Sequence, residues 1–402
     1  MKKKKKNLFF PLIIIILFIF IFYFINFKRK YELKIFINKI NNYINVEEFY
    51  IYGTHLNIKI NNKLEKPILI LKSSYNEIKY ELVLDNDNYI LSSKLNEGID
   101  LEKLDNDRYY IIIKDNDKYY NLVNNTNYNN LTYYSISDKK IDLNFNENMI
   151  LNIEDYKTPS DIYDIVIDAG HGGIDSGATS FGYNESTLTL EYSKSIKKYL
   201  EKLGYKVKLT REDDTYLKPY GTNSRTSIPY EVKAKYLFSI HFNSSESYIS
   251  NNGFEIYIPN NINYDLANSL VNKIKSIGIN TSTNTSFKVN DGIYLRNLSK
   301  TDINNMKNEA IKNGYEMYNA DTSTPYLYMI RETGGFMTKA YIDGRNTKYD
   351  KNNYYNSNIG SESYLLELGY INNKNDINFI INNKDNYSKV IAYGIDEYIK
   401  NT

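Results

Sequence analysis

Ile165-Val166-Ile167-Asp168-Ala169-Gly170-His171-Gly172-Gly173 is an apolar run that ends in a glycine-rich turn carrying a histidine. The β-branched opening reads as a strand, and the glycines mark where the chain turns. Leu237-Phe238-Ser239-Ile240-His241-Phe242-Asn243 is a second apolar strand with a histidine near its end. A third, Tyr364-Leu365-Leu366-Glu367-Leu368-Gly369-Tyr370-Ile371, encloses a glutamate. Between the first two, Gly182-Tyr183-Asn184-Glu185 opens a helical pattern. Leu188, Tyr192, Ile196 and Tyr199 recur there at helical spacing, and Gly204 is placed to end it. Further helices are predicted over Tyr264 to Ile277, Lys374 to Asn382 and Tyr387 to Lys400. This alternation of strand and helix indicates an open α/β sheet, whose strand ends converge on one edge where ligands bind.

The chain has three histidines, and two of them stand at these strand ends. His171, His241 and Glu185 supply the donors of an open zinc site, with a fourth position left for water. Glu185 falls at the amino end of its helix, where the dipole favours a carboxylate. Glu367, on apolar backbone, is suited to act as general base, and desolvation there raises a carboxyl pKa toward its working range. Asp168 is a candidate to orient a ligating ring. Singly, each residue is equally consistent with core packing or an ordinary turn; their ordered combination is not.

Residues from about 163 to 400 resemble the catalytic domain of the zinc-dependent N-acetylmuramoyl-L-alanine amidases of the amidase 3 type. The resemblance rests on Asp168-Ala-Gly-His-Gly-Gly173 with Asp175-Ser-Gly-Ala178, then Glu185 and Leu203-Gly-Tyr-Lys-Val-Lys-Leu-Thr-Arg211. It continues through Arg225, Ser239-Ile-His-Phe-Asn243, Gly253-Phe-Glu-Ile-Tyr257 and Glu367-Leu-Gly-Tyr-Ile-Asn372. It implies a twisted, mainly parallel sheet flanked by helices, and His171, Glu185 and His241 as ligands of Zn2+. It further implies Glu367 as catalytic acid/base, and hydrolysis of the amide joining N-acetylmuramic acid to L-alanine in peptidoglycan. Asn243 and Arg225 lie within matching stretches and join Asp168 as supporting or substrate-binding candidates.

Rival chemistries lack their residues. The absence of Cys removes thiolate zinc sites, thiol nucleophiles and disulfides. No nucleophile elbow, phosphate loop or His-Glu-x-x-His helix occurs. His55 is isolated and reads as an ordinary loop or strand-edge residue. Two other readings stay open: a different peptidoglycan metallohydrolase, and a non-enzymatic or partner-activated wall-binding protein.

Lys2 to Lys6 precede an apolar run from Leu8 to Ile25, followed by Lys28-Arg29-Lys30. A run of about 18 residues suffices for one bilayer crossing, and no small-residue cleavage site follows it. Residues 1–30 are therefore expected to be a cytoplasmic basic end and an uncleaved signal anchor. The charge bias places the bulk of the chain outside, and the heavy use of Asn, Ile, Lys and Tyr, with the resemblance, suggests a Gram-positive source whose wall it would face. The eight basic residues of this segment, taken from the formal +2 of the chain, leave −6 for residues 31–402. That balance gives no case for nucleic-acid binding.

Residues 31–150 carry none of these motifs. Alternation at Leu56, Ile58 and Ile60 and at Ile78, Tyr80, Leu82 and Leu84 predicts short strands. Tyr109-Tyr110-Ile111-Ile112-Ile113 reads as a more buried one. A small β-rich module, such as a sandwich, is expected, serving as wall-binding module, docking surface or spacer. Residues 151–162 read as a linker and 163–402 as the catalytic domain. Glu367 follows Glu255 by 112 positions, which suggests an insertion around 320–360. It contains Arg331, Arg345 and a tyrosine-rich stretch, expected to recognise substrate carboxylates and sugar rings. Growth, division, sporulation and germination are all compatible roles, with or without an activator protein.

Overall fold

The computed structural model describes residues 9–60, 64–85, 88–91, 98–124, 130–145, 148–220, 223–246, 250–260, 262–314, 320–335, 337–338 and 359–401. Phe9–Asn38 is one helix. Its aromatic and aliphatic side chains from Ile13 to Phe27 are largely exposed, Phe20 by 72% and Tyr23 by 71%. Lys28-Arg29-Lys30 close that stretch, and no helix among the described residues is long and apolar enough to cross a membrane. The opening of the expected span, residues 8–12, lies outside the described side chains. The end of the helix turns inward, where Ile37 and Ile40 pack with Ile70 and Ile112.

Strands from Asn42–Tyr52 to Ile150–Asp155 form one connected, mostly antiparallel sheet over its own apolar core. Arg108–Asp115 buries Tyr109, Ile111, Ile112 and Ile113, the run expected to be most buried. One expectation needs correction. The proposed linker 151–162 starts inside the strand Ile150–Asp155, which pairs with Lys139–Asn144 and Arg108–Asp115. Leu151 and Ile153 are buried and alternate with Asn152 and Glu154, so period-two burial overrides the polar appearance of the segment.

The second sheet holds the strand order Val207–Leu209, Ile165–Ala169, Tyr236–Asn243, Glu362–Tyr370, Glu255–Tyr257, Ile293–Tyr294, Lys288–Asn290. The first four run parallel, Glu255–Tyr257 is antiparallel to Glu362–Tyr370, and the edge is mixed. The result is an α/β fold with a mixed sheet, parallel where the site residues stand.

The two faces of this sheet are sorted by alternation. Ile165, Ile167, Phe238, Ile240, Tyr364 and Leu366 point to one core. The helices Glu185–Lys202, Asp265–Ser276 and Lys374–Asn401 contribute to it Leu188, Ile196, Leu270 and Ile391. The last helix joins both predicted C-terminal helices across a kink at Asn383, where φ is −123°. Val166, Leu237 and Met329 form a smaller cluster on the opposite face, beneath the short helix Tyr328–Thr333. Asp168, Ser239, His241, Leu365 and Glu367 occupy the alternate positions that face this second side.

The two sheets are joined through a two-residue strand. Ile359–Gly360 pairs in parallel with Ile51 and Tyr52 of the first sheet, then continues directly into the Glu367 strand. Tyr52 is 1% exposed and belongs to the core of the second sheet.

Candidate active site

His171 lies two residues past its strand and takes a left-handed backbone, φ +60°. That conformation is uncommon outside glycine and folds the imidazole back over the sheet edge. Its Nδ1 lies 2.9 Å from Asp175 Oδ2, and its Nε2 lies 3.1 Å from Glu185 Oε1. Glu185 opens its helix, with Oε1 also 3.0 Å from His241 Nδ1. The backbone N–H of Phe242 donates to that oxygen at 3.1 Å, and Ala178 N–H donates to Oε2 at 2.9 Å. The imidazole rings stand 5.0 Å apart and nearly perpendicular, at 80°. The three residues thus bring one ligand atom each within 4.8 Å of one another, a group able to hold a metal ion.

Small residues make the approach possible. A Cβ on Gly177 (φ +64°) would lie 2.6 Å from His171 Cδ2 and 2.7 Å from Glu185 Oε2. One on Gly170 would lie 2.6 Å from His241 Cε1.

Burial opposes charge on Glu185, yet hydrogen bonds from both histidines hold its carboxyl well below the usual range. Burial likewise works against a charged His171, but Glu185 and Asp175 raise its pKa. These shifts describe two imidazoles gathered around one carboxylate.

Glu367 shares its register with His241 on one side and with Glu255 on the other. Its Oε2 is buried and has no hydrogen-bond partner among the described residues. Burial, reinforced by the negative charge of Glu185 and Glu255, pushes its carboxyl pKa well above the usual range. Glu255 is fully buried and satisfied: it accepts from Tyr370 Oη at 2.6 Å, Tyr257 Oη at 2.9 Å, Asn243 Nδ2 at 3.1 Å and Asn284 Nδ2 at 3.3 Å. The contrast is informative, because an unpaired buried carboxylate oxygen is costly. His171, Glu185, His241 and Glu367 line a cavity of about 310 Å³, together with Leu327, Tyr328 and Met329.

The supporting candidates are redistributed. Asp168 does not hold a ligating ring. It is fully buried and accepts from Arg225 Nε (3.0 Å) and Nη2 (2.7 Å), Ser239 Oγ (2.6 Å) and Thr210 Oγ1 (2.8 Å). Arg225 is consumed by that pair and by the carbonyl of Ala169, so it brackets the strand end and leaves substrate to others. Arg331 was expected to meet substrate, but it is 5% exposed and bonded to Glu332, Tyr326 and Tyr220. A helix packed on the sheet has taken it inside. Asn243 lines the cavity while binding Glu255. Arg345 and the tyrosine-rich stretch after it lie outside the described residues.

Three residues were missed as participants. Asp175 holds the His171 ring, Glu255 flanks Glu367, and buried Arg211 staples the carbonyls of Ala169, Gly170 and Ser186 at 3.1, 3.0 and 2.6 Å. Asp175 and Arg211 were visible only as letters of a motif, and Glu255 as a strand residue.

Residues 165–401, more than half of the chain, match the amidase 3 family of N-acetylmuramoyl-L-alanine amidases, and the chain belongs to that family. Over 96 residues it is 40% identical to the sporulation-specific N-acetylmuramoyl-L-alanine amidase of Bacillus subtilis (strain 168), covering 23% of this chain and 35% of that protein. Over 127 residues it is 36% identical to the probable cell wall amidase LytH of Staphylococcus aureus, covering 31% of this chain and 40% of that one. The matches thus span well under half the length of these curated relatives. Among solved structures, the amidase AmiC2 of Nostoc punctiforme aligns at 23% identity with a TM-score of 0.40, over 60% of this chain and 99% of that chain.

Proposed function

We propose that this protein is a membrane-anchored zinc hydrolase of peptidoglycan that cleaves the amide between N-acetylmuramic acid and L-alanine. The observation that carries the reading is the juxtaposition at one sheet edge of the His171–Glu185–His241 group and Glu367, whose buried Oε2 has no partner among the described residues. Two imidazoles and a carboxylate are a donor set suited to zinc, with room left for water and substrate. When bound, zinc supplies a Lewis acid for the carbonyl and a positive charge that makes water a stronger nucleophile.

The chain's own residues supply the rest. Asp175 fixes the tautomer and direction of the His171 ring through Nδ1, leaving Nε2 for the metal. Glu185 is held in place by two backbone N–H groups, so its carboxylate needs no reorganisation to serve as ligand. Glu367 takes a proton from the attacking water and returns it to the departing alanine nitrogen. Leu327, Met329 and Leu365 give that exchange an apolar border.

Anchoring through the helix Phe9–Asn38 is supported by its row of exposed apolar side chains and by the basic residues on both sides of the run. The catalytic half would then face the wall.

The test is digestion of purified peptidoglycan by the full chain with zinc, beside the Glu367→Gln variant. Released stem peptides with a free L-alanine amino end, absent from the variant digest, are expected. Products cut within the stem peptide would replace the reading with another wall hydrolase.

A further inference from the structure

The sheet order gives the cavity a direction. Glu367 stands on one side of His241, whereas His171 and Glu185 issue from the loops on the other, beyond the Ile165–Ala169 strand. If Glu367 protonates the departing nitrogen, the amine half of the substrate extends over the Glu367 side. The acyl half, which carries the sugar, then extends over the His171 side.

That side carries several exposed apolar side chains. Ile174, three residues past His171, is 90% exposed. Tyr216, 44% exposed, follows the outermost strand Val207–Leu209 and abuts the same turn, since a Cβ on Gly173 would lie 3.1 Å from Tyr216 Cβ. Thr179–Ser180 and Tyr183–Asn184 form a hairpin inserted between Ala178 and Glu185, two residues that line the cavity. Phe181 at its tip is 56% exposed and Tyr183 is 38% exposed.

The hairpin is also strained in a telling way. Phe181 (φ +49°) and Gly182 (φ +81°) both take left-handed backbone, the two-residue turn that suits Asn-Gly. A bulky aromatic in the first position is an outlier that folding alone does not favour, and such outliers gather at binding sites. Packing does not account for it, because the ring points to solvent. Exposed apolar groups on a hairpin that springs from the cavity's own lining mark a binding surface. Rigid aromatic faces with a polar tip suit a partner that is apolar on its ring faces and hydroxylated at its edge.

We propose that Phe181 and Tyr183, with Ile174 and Tyr216, form a glycan-binding rim that receives the saccharide strand on the acyl side of the scissile amide. This rests on the amidase reading, which supplies the direction of the substrate. The stem peptide runs the other way and makes no use of the rim.

The experiment measures retention of the full chain, solubilised in detergent and carrying Glu367→Gln, on glycan strands already stripped of stem peptides. The comparison is Phe181→Gly with Tyr183→Ser in the same background. Glycine relieves the left-handed strain, so the hairpin keeps its backbone, and unchanged thermal unfolding checks the fold. A loss of retention of about fivefold or more is expected for the paired variant, on the scale of removing two ring contacts. Tyr216→Ser gives a smaller loss and serves as an independent second variant outside the hairpin. Equal retention by parent and variants overturns the proposal, as does failure of the parent to bind stripped glycan. Release of stem peptides by the unsubstituted chain is scored separately, so an error in the amidase reading is told apart from an error in the rim.

Discussion

His241 and Glu367 sit at the same register of adjacent parallel strands, on the face of the sheet away from its three long helices. Neighbouring strands therefore deliver a metal-group imidazole and a carboxyl to one cavity without help from any loop. Replacing Glu367 by Gln keeps size and removes the proton-accepting oxygen. Amide hydrolysis should fall by about 10²–10⁴-fold, the usual range for loss of a general base. Zinc retention after dialysis should be nearly unchanged, and loss of metal together with activity would assign Glu367 a holding role instead.

Asp175 and Asp168 should separate cleanly. Asp175→Ala removes the partner of His171 Nδ1 and should weaken zinc binding by roughly 10–100-fold, with little change in melting temperature. Asp168→Ala strands the buried Arg225 guanidinium and should cost about 3–5 kcal/mol of stability. Metal titration and thermal unfolding of both variants decide the matter. Equal effects on both readouts would contradict the division of labour.

Gly177 tolerates no side chain. Alanine there would add both left-handed strain and a clash with His171 and Glu185. The expected outcome is a folded protein that has lost most of its zinc affinity, whereas Gly182→Ala, with open space around it, should retain zinc at the parental level. Calorimetric zinc titration of the two variants is the check.

Glu362 makes stability depend on pH. Burial pushes its carboxyl up to about 7, where it accepts from Tyr364 and Tyr398. Unfolded, a glutamate releases its proton near 4.3. The native state therefore holds the extra proton between these values, so stability falls as pH rises through that window and levels off above it. At about 1.4 kcal/mol per unit the effect is roughly 4 kcal/mol at most. Glu362→Gln should flatten the profile and unfold at a higher temperature than the parent at pH 8. A parent profile that rises from pH 5 to 7 for this group would refute it.

What the sequence made legible was periodic or positional. Apolar runs placed the strands of His171, His241 and Glu367, and helical spacing placed Glu185 at a helix start. Partnerships were less visible, because they depend on where side chains turn. Asp168 lies within the strand and Asp175 beyond it, yet alternation buries Asp168 against Arg225, while the left-handed backbone of His171 swings its ring toward Asp175. Arg331 looked like a loop arginine since nothing local reveals that Tyr328–Thr333 packs on the sheet as a helix. The strand Ile150–Asp155 reads as linker in the sequence because its outward residues are polar, and burial of Leu151 and Ile153 shows only when a neighbouring strand is present.

The pairing of Ile51 and Tyr52 with Ile359–Gly360 bears on how far the catalytic half can be treated as a portable cassette. Removing the first sheet would leave an empty socket where the Tyr52 ring sits and an unzipped edge at the root of the Glu367 strand. The strand that carries Glu367 is rooted in the first sheet, so whatever displaces Asn42–Tyr52 is felt by the backbone that positions that carboxyl.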